Sequence, residues 1–261
     1  MRATMRALQG HFMKQEDKTL PLVEHFYSFQ GEGKFVGTPS IFIRLGGCNL
    51  GCKGFNVHID GITGCDSLKA VHEERFGSSW KKIDDLVPII NSHLKNLDFK
   101  PDIVITGGEP LLHYQNPILL KMLDYFVKRG FRITFETNAT IKIDFENYTI
   151  YKNVVFAMSV KLKNSGEPKS KRVIHEAIKA ITENTKLSFF KFVLSKDDLF
   201  TKEIGEIISC FKDTPIYCMP MGSTSYELSQ NDKAVAEFCI ANGYNFVDRM
   251  HIRLWSNEEG R

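Results

Sequence analysis

No apolar run in the 261-residue chain approaches the roughly 20 residues that cross a bilayer as a helix, so a helical membrane protein is not expected. The opening stretch, Met1 to Lys18, carries Arg2 and Arg6 but no apolar core of the kind a secretory leader needs. A strong charge of one sign is also missing. Lys and Arg number 34 against 31 Asp and Glu, and the resulting +3 is too mild to argue for nucleic acid. Cysteine is scarce, with six in the chain. Without a leader, six suggest reduced thiols in the cytoplasm rather than a disulfide frame.

What is present suits one α/β domain, since a 43% hydrophobic chain of this length can bury a full core. Residues 1–20 read as a disordered tail and 21–261 as a single domain, with no internal repeat or linker. The densest basic run, Lys169 to Arg172, reads as a solvated helix entry. Cys210, Cys218 and Cys239 fall in expected helix or strand interiors, where a thiol acts as a small hydrophobe.

Strands are expected at 22–26, 40–45, 102–106, 132–136, 154–158, 187–194, 215–218 and 244–247. Helices are expected at about 86–97, 117–127, 171–183, 199–211 and 226–242. Asp85 and Asn116 are the caps of the first two helices, and Gly130 stops the second. Strands that alternate with helices imply parallel βαβ units.

Polar motifs begin where these strands end. After Ser40–Leu45 comes Arg44-Leu-Gly-Gly-Cys48-Asn-Leu-Gly-Cys52, with Cys65-Asp66-Ser67 further on. Three thiolates on one Gly-rich loop can hold zinc, or a [4Fe–4S] cluster that keeps one iron open to a reacting ligand. For zinc, His58 or Asp60 would supply the fourth ligand. Thr106-Gly107-Gly108-Glu109-Pro110, Glu136-Thr-Asn138 and Ser159-Val160-Lys161 follow later strands, and Gln30-Gly31-Glu32-Gly33 precedes them all. In parallel α/β barrels the C-terminal strand ends form one face, so these motifs should meet at one mouth.

The set resembles the radical S-adenosylmethionine (SAM) superfamily, and within it the 7-carboxy-7-deazaguanine synthase family. That resemblance implies a partial (β/α)6 TIM-like barrel. It implies Cys48, Cys52 and Cys65 as ligands of a [4Fe–4S] cluster, with a flexible ten-residue insertion between the second and third. It assigns SAM to Gly107, Gly108, Glu109, Glu136, Asn138, Ser159, Val160 and Lys161, and more loosely to Ser195, Lys196 and Asp197. Mg²⁺ would fall to Ser67, where the family has threonine. The carboxypterin substrate would meet Phe29, Gln30, Gly31, Glu32, Arg44 and Thr106.

This chain departs from the family pattern at Ala139, usually Gly, and at Val160, usually Pro. The implied reaction opens with reductive cleavage of SAM. It contracts 6-carboxy-5,6,7,8-tetrahydropterin to 7-carboxy-7-deazaguanine with loss of ammonia, for modified nucleosides such as queuosine. A flavodoxin-like reductant and a homodimer are the implied partners. A glycyl-radical-activating enzyme would share the cysteines and Gly-Gly-Glu but gives no reason for Gln30-Gly-Glu-Gly and Arg44. A zinc-stabilised binding module is the reading from a different class. For Arg44 itself, an internal pair with Glu24 or Glu32 is the alternative to a substrate contact.

Overall fold

A computed structural model describes residues 19–55, 57–211, 213–256, 258 and 260. Strand β1 (Leu20–Phe29) turns back along β2 (Pro39–Leu45), and the cysteine loop leaves from the end of β2. A small hairpin follows, β3 (Val57–Ile59) and β4 (Ile62–Gly64). Two single-turn helices come next, α1 (Leu68–Val71) and α2 (Glu73–Phe76), then β5 (Lys81–Ile83) and α3 (Val87–Leu94). The regular alternation runs β6 (Asp102–Gly107), α4 (Pro117–Val127), β7 (Ile133–Thr137) and β8 (Val155–Met158). It continues through α5 (Lys169–Arg172), α6 (His175–Asn184), β9 (Phe189–Leu194), α7 (Thr201–Ile208) and β10 (Ile216–Pro220). Then come α8 (Ser225–Asn242), β11 (Asn245–Phe246) and α9 (Met250–Trp255).

Among the described residues the main sheet has the order β11-β10-β9-β8-β7-β6-β2-β1-β5. From β2 through β11 every neighbouring pair is parallel, while β1 pairs antiparallel with β2 and β5. Seven parallel strands in chain order, the last of them only two residues long, with open edges at β5 and β11, make the expected partial barrel. Its central strands are apolar on both faces, as at Ile103, Val104 and Ile105, because helices or core cover each side. Helix α4 shows how one such cover forms. Asn116 accepts from Ile118 N at 2.9 Å and Pro117 opens the first turn, where its missing N–H costs nothing. Leu119, Met122, Leu123 and Phe126 are then fully buried, each contributing about 1.5–3 kcal/mol.

Four expectations need correction. Residues 1–18 lie outside the described residues, but Leu20, placed in the tail, opens β1 and is fully buried. The insertion between Cys52 and Cys65 is a folded hairpin, because Asp60 and Gly61 both take positive φ, 49° and 79°. An Asp-Gly pair in that conformation matches the twist of a two-residue hairpin turn. Cys210 is exposed, since α7 ends at Ile208. Arg172 is no solvated residue: it is buried and donates to the carbonyls of Lys161 and Glu167 at 2.8 and 3.0 Å.

Candidate active site

The cysteine loop is held from several sides. Gly47 N donates to Ala70 O at 2.7 Å, Gly51 N to the Glu167 carboxylate at 2.6 Å, and Asn49 Nδ2 to Thr140 Oγ1 at 2.7 Å. Cys52 turns the chain at φ 42°. Hairpin β3–β4 replaces a floppy connection, so its cross-strand bonds bring Cys65 back toward Cys52 in place of an entropy cost of ~1.6 kcal/mol for loop closure.

Burial is the main cause that pushes the Cys48 thiol up to about 12 and Cys65 up to about 11; Cys52 is raised by the same cause. Cys65 and Cys52 also raise Cys48, and Cys52 raises Cys65, which places the three within electrostatic reach. Among the described residues no three His, Cys, Asp or Glu converge tightly enough for a single metal ion. Three cysteine sulfurs within electrostatic reach of one another are the donor type that an iron–sulfur cluster takes. Leu50 N already donates to Cys48 Sγ at 3.4 Å, and Lys161 brings a cation near Cys52 and Cys65.

The Gly107-Gly108-Glu109 loop lies directly on this cysteine loop. Gly108 N donates to Leu45 O at 3.2 Å and Glu109 N to Gly47 O at 2.8 Å. A methyl group on Gly107, which sits at φ 143°, would meet Leu45 O at 1.9 Å. On Gly108 it would meet Gly47 O at 2.3 Å and Cys48 Cβ at 2.8 Å. Only glycines allow this approach, so the spacing of the motif is a packing requirement before it is a binding one.

Glu109, expected to face SAM, points inward instead. Its carboxylate is fully buried and accepts from Leu111 N at 3.0 Å, Thr137 Oγ1 at 2.8 Å and Asn138 N at 2.7 Å. It clamps the β6 loop to the β7 loop. Asn138 in turn donates to Asn49 Oδ1 at 3.0 Å, linking that clamp to the cysteines. Ala139 sits at φ 57°, where a side chain costs roughly 1–2 kcal/mol, which explains why glycine suits that position.

Across the mouth lies a network of charges. Glu136 accepts from Gln30 Nε2 at 3.1 Å and from Lys191 Nζ. Lys191 also reaches Glu32 Oε2 at 2.8 Å. Glu32 Oε1 receives Arg249 Nε at 2.7 Å, and Arg249 Nη2 continues to Asp66 Oδ2 at 2.6 Å. His251 Nε2 stands 4.0 Å from the same Glu32 oxygen. A Cβ on Gly31 would fall 2.0 Å from His251 Nδ1, so α9 presses against the Gln30-Gly31 turn. Met250 N fixes it there through Gly31 O at 3.0 Å, and Phe29 packs on Trp255 at 4.8 Å.

Arg44 Nε pairs with Glu24 Oε1 at 2.7 Å, its cross-strand partner in the β1–β2 register, and its Nη1 donates to Ser67 Oγ at 3.3 Å. The internal-pair alternative for Arg44 is thus present in the structure. Thr106 neighbours Arg44 in the β2–β6 register.

Residues 29–182 match a family described as a 4Fe-4S single cluster domain. A 7-carboxy-7-deazaguanine synthase of Halobacterium salinarum is 30% identical over 255 residues, spanning 91% of each chain. The chain belongs to the 7-carboxy-7-deazaguanine synthase family. A synthase of Rickettsia prowazekii, also 30% identical, aligns with 87% of this chain and 84% of its own. The crystal structure of QueE from Escherichia coli superposes with a TM-score of 0.64 at 25% identity, covering 92% of this chain and 100% of the other.

Within this synthase-family chain, the expected site residues divide. Cys48, Cys52, Cys65, Gly107, Gly108, Asn138, Ser159 and Lys161 gather around the cysteine loop, with Lys161 Nζ on Ser159 Oγ at 2.9 Å. Val160 is buried beside them. Ser195, Lys196 and Asp197 follow the end of β9, where Ser195 bridges to Asp198 and Lys196 N donates to Asn231 Oδ1 at 2.9 Å. Lys191, Arg249 and His251 were missed. Only Lys191 left a trace in the sequence, as one cation inside Phe189-Phe-Lys-Phe-Val-Leu194.

Proposed function

We propose that the chain contracts 6-carboxy-5,6,7,8-tetrahydropterin to 7-carboxy-7-deazaguanine with loss of ammonia, in the synthesis of deazapurine nucleosides such as queuosine. The observation that carries this reading is the synthase match over nine-tenths of the chain, together with the cluster-domain match over 29–182, which contains the cysteine loop. When bound, a [4Fe–4S] cluster and SAM supply a carbon radical that abstracts hydrogen from substrate. Cys48, Cys52 and Cys65 hold that cluster. The backbone of Gly107 to Glu109 would receive the methionyl amine of SAM, while Glu136 and Asn138 would take its ribose. Ser159, Val160 and Lys161 complete that side, with Ser195 to Asp197 as outlying contacts.

Phe29 to Glu32, Arg44 and Thr106 face the pterin. Arg44 keeps its Glu24 pair and turns the rest of its fork to the substrate carboxylate, as a planar guanidinium allows. Mg²⁺ belongs to the same reading: the Ser67 hydroxyl, next to Asp66, is a hard oxygen ligand that gives up its bond from Arg44 when the ion binds. The reading also includes one domain that begins by Leu20, a flavodoxin-like reductant, a homodimer and a cytoplasmic setting. Anaerobic turnover with SAM, reductant and the carboxypterin tests it. Formation of 7-carboxy-7-deazaguanine is expected; SAM cleavage without that product would overturn the substrate assignment.

A further inference from the structure

Lys191 lies in the middle of β9 between Phe190 and Phe192, both fully buried. An ammonium there is expensive, and pairing it rarely stabilises a fold more than an apolar side chain of equal size would. Burial works to discharge the lysine, but Glu136 and then Glu32 outweigh it and hold the proton more firmly than usual. Its two carboxylate partners come from different places. Glu136 is next to last in β7, 55 residues before it, and Glu32 follows β1, 159 residues before it. One belongs to the ribose site proposed above and the other to the substrate turn. Gln30 adds a weaker neutral link from that turn to Glu136.

We propose that Lys191 is a positioning residue that makes SAM and carboxypterin binding mutually reinforcing, because one ammonium holds a carboxylate of each ligand site. The proposal rests on the functional reading above. Its physical content is entropic and geometric. A ligand that fixes Glu136 fixes Lys191, and Lys191 then presents Glu32 already ordered to the second ligand. Linkage requires the effect to be reciprocal.

The test uses cluster-loaded protein without reductant, so that SAM is not cleaved. The carboxypterin is titrated with and without SAM, and SAM with and without the carboxypterin. In the wild type each ligand should tighten the other by about fivefold or more, by the same factor both ways. In Lys191→Met that factor should fall to within about twofold of one, whatever happens to the separate affinities, while iron content stays at the wild-type level. Lys191→Arg, which keeps a cation between the two carboxylates, should restore most of the factor.

A wild-type factor of one overturns the proposal without any variant, so a misfolded Lys191→Met cannot shelter it. An undiminished factor in iron-loaded Lys191→Met overturns it as well. Failure of the carboxypterin to bind under any condition would instead remove the functional reading, and this inference with it.

Discussion

Glu109 and Glu32 are both withdrawn from water, yet they settle in opposite ways. Glu109 lies in the clamp between the β6 and β7 loops, where every hydrogen-bond partner is neutral: two backbone amides and one hydroxyl. Burial outweighs those bonds and pushes its carboxyl up to about 6. Glu32 lies in the mouth, where burial pushes the same way but Lys191 and Arg249 overcome it and hold the carboxyl well below 4.5. At Glu109 burial wins over the neutral hydrogen bonds and a weaker pull from Lys161; at Glu32 two directly paired cations win over burial. The clamp side is built from local motifs. The mouth is built from residues far apart in the chain.

The sharpest break falls on the clamp side. Cys48→Ala, Cys52→Ala and Cys65→Ala should each abolish the four-iron spectrum and activity, while alanine at Cys210, Cys218 or Cys239 should keep both. Full iron in the Cys65 variant would show that the hairpin does not deliver the third ligand. On the mouth side, Arg249→Met leaves Glu32 and Asp66 without a shared cation. A loss of about 3–5 kcal/mol of unfolding free energy is expected from denaturant midpoints. A loss below about 1 kcal/mol would mean that α9 is not braced through this pair.

The two carboxylates also predict opposite pH responses. Because the folded form of Glu109 holds its proton up to about 6, its contribution to stability falls as pH rises from 4.5 to that value. The stability of wild type relative to Glu109→Gln should drop by about 2 kcal/mol across that window. Glu32 contributes the reverse, stability that is present above 4.5 and lost as pH falls below it. Urea titrations of Glu109→Gln and Glu32→Gln at several pH values separate the two. A flat difference for Glu109→Gln would contradict its raised proton affinity.

Smaller effects sharpen the boundary between the regions. Arg44→Lys keeps charge but loses the fork, so carboxypterin binding should weaken by about 1–3 kcal/mol. Unfolding should shift by less than about 1 kcal/mol, because the Glu24 pair is partly exposed. Normal substrate binding in a destabilised Arg44→Lys protein would assign the arginine to its pair with Glu24 alone. Smallest of all, Ser67→Ala should blunt the response of activity to added Mg²⁺ without lowering iron content. An unchanged Mg²⁺ dependence would return Ser67 to a turn role.

The clamp side was legible because its constraints are short-range. Gly107 and Gly108 must be glycine for steric reasons, Asn116 must cap α4, and each motif follows directly on its own strand. The Asp60-Gly61 turn was equally visible and was misread as flexibility. The mouth was not legible, since nothing local says that Lys191 will meet Glu32 or that Arg249 will meet Asp66. Arg172 was misread for a related reason. Its neighbours Lys169 and Lys171 are exposed, and only the fold turns the last residue of the run inward.

The reach of Arg249 has a consequence for the order of assembly. It closes onto Glu32 and Asp66 from 217 and 183 residues downstream. At about 5–20 residues per second, the stretch after Asp66 takes on the order of 10–40 s to synthesise. For that interval Glu32 and Asp66 exist on the nascent chain without the guanidinium they share. The brace between them is therefore a late one, set only when the chain reaches the start of α9.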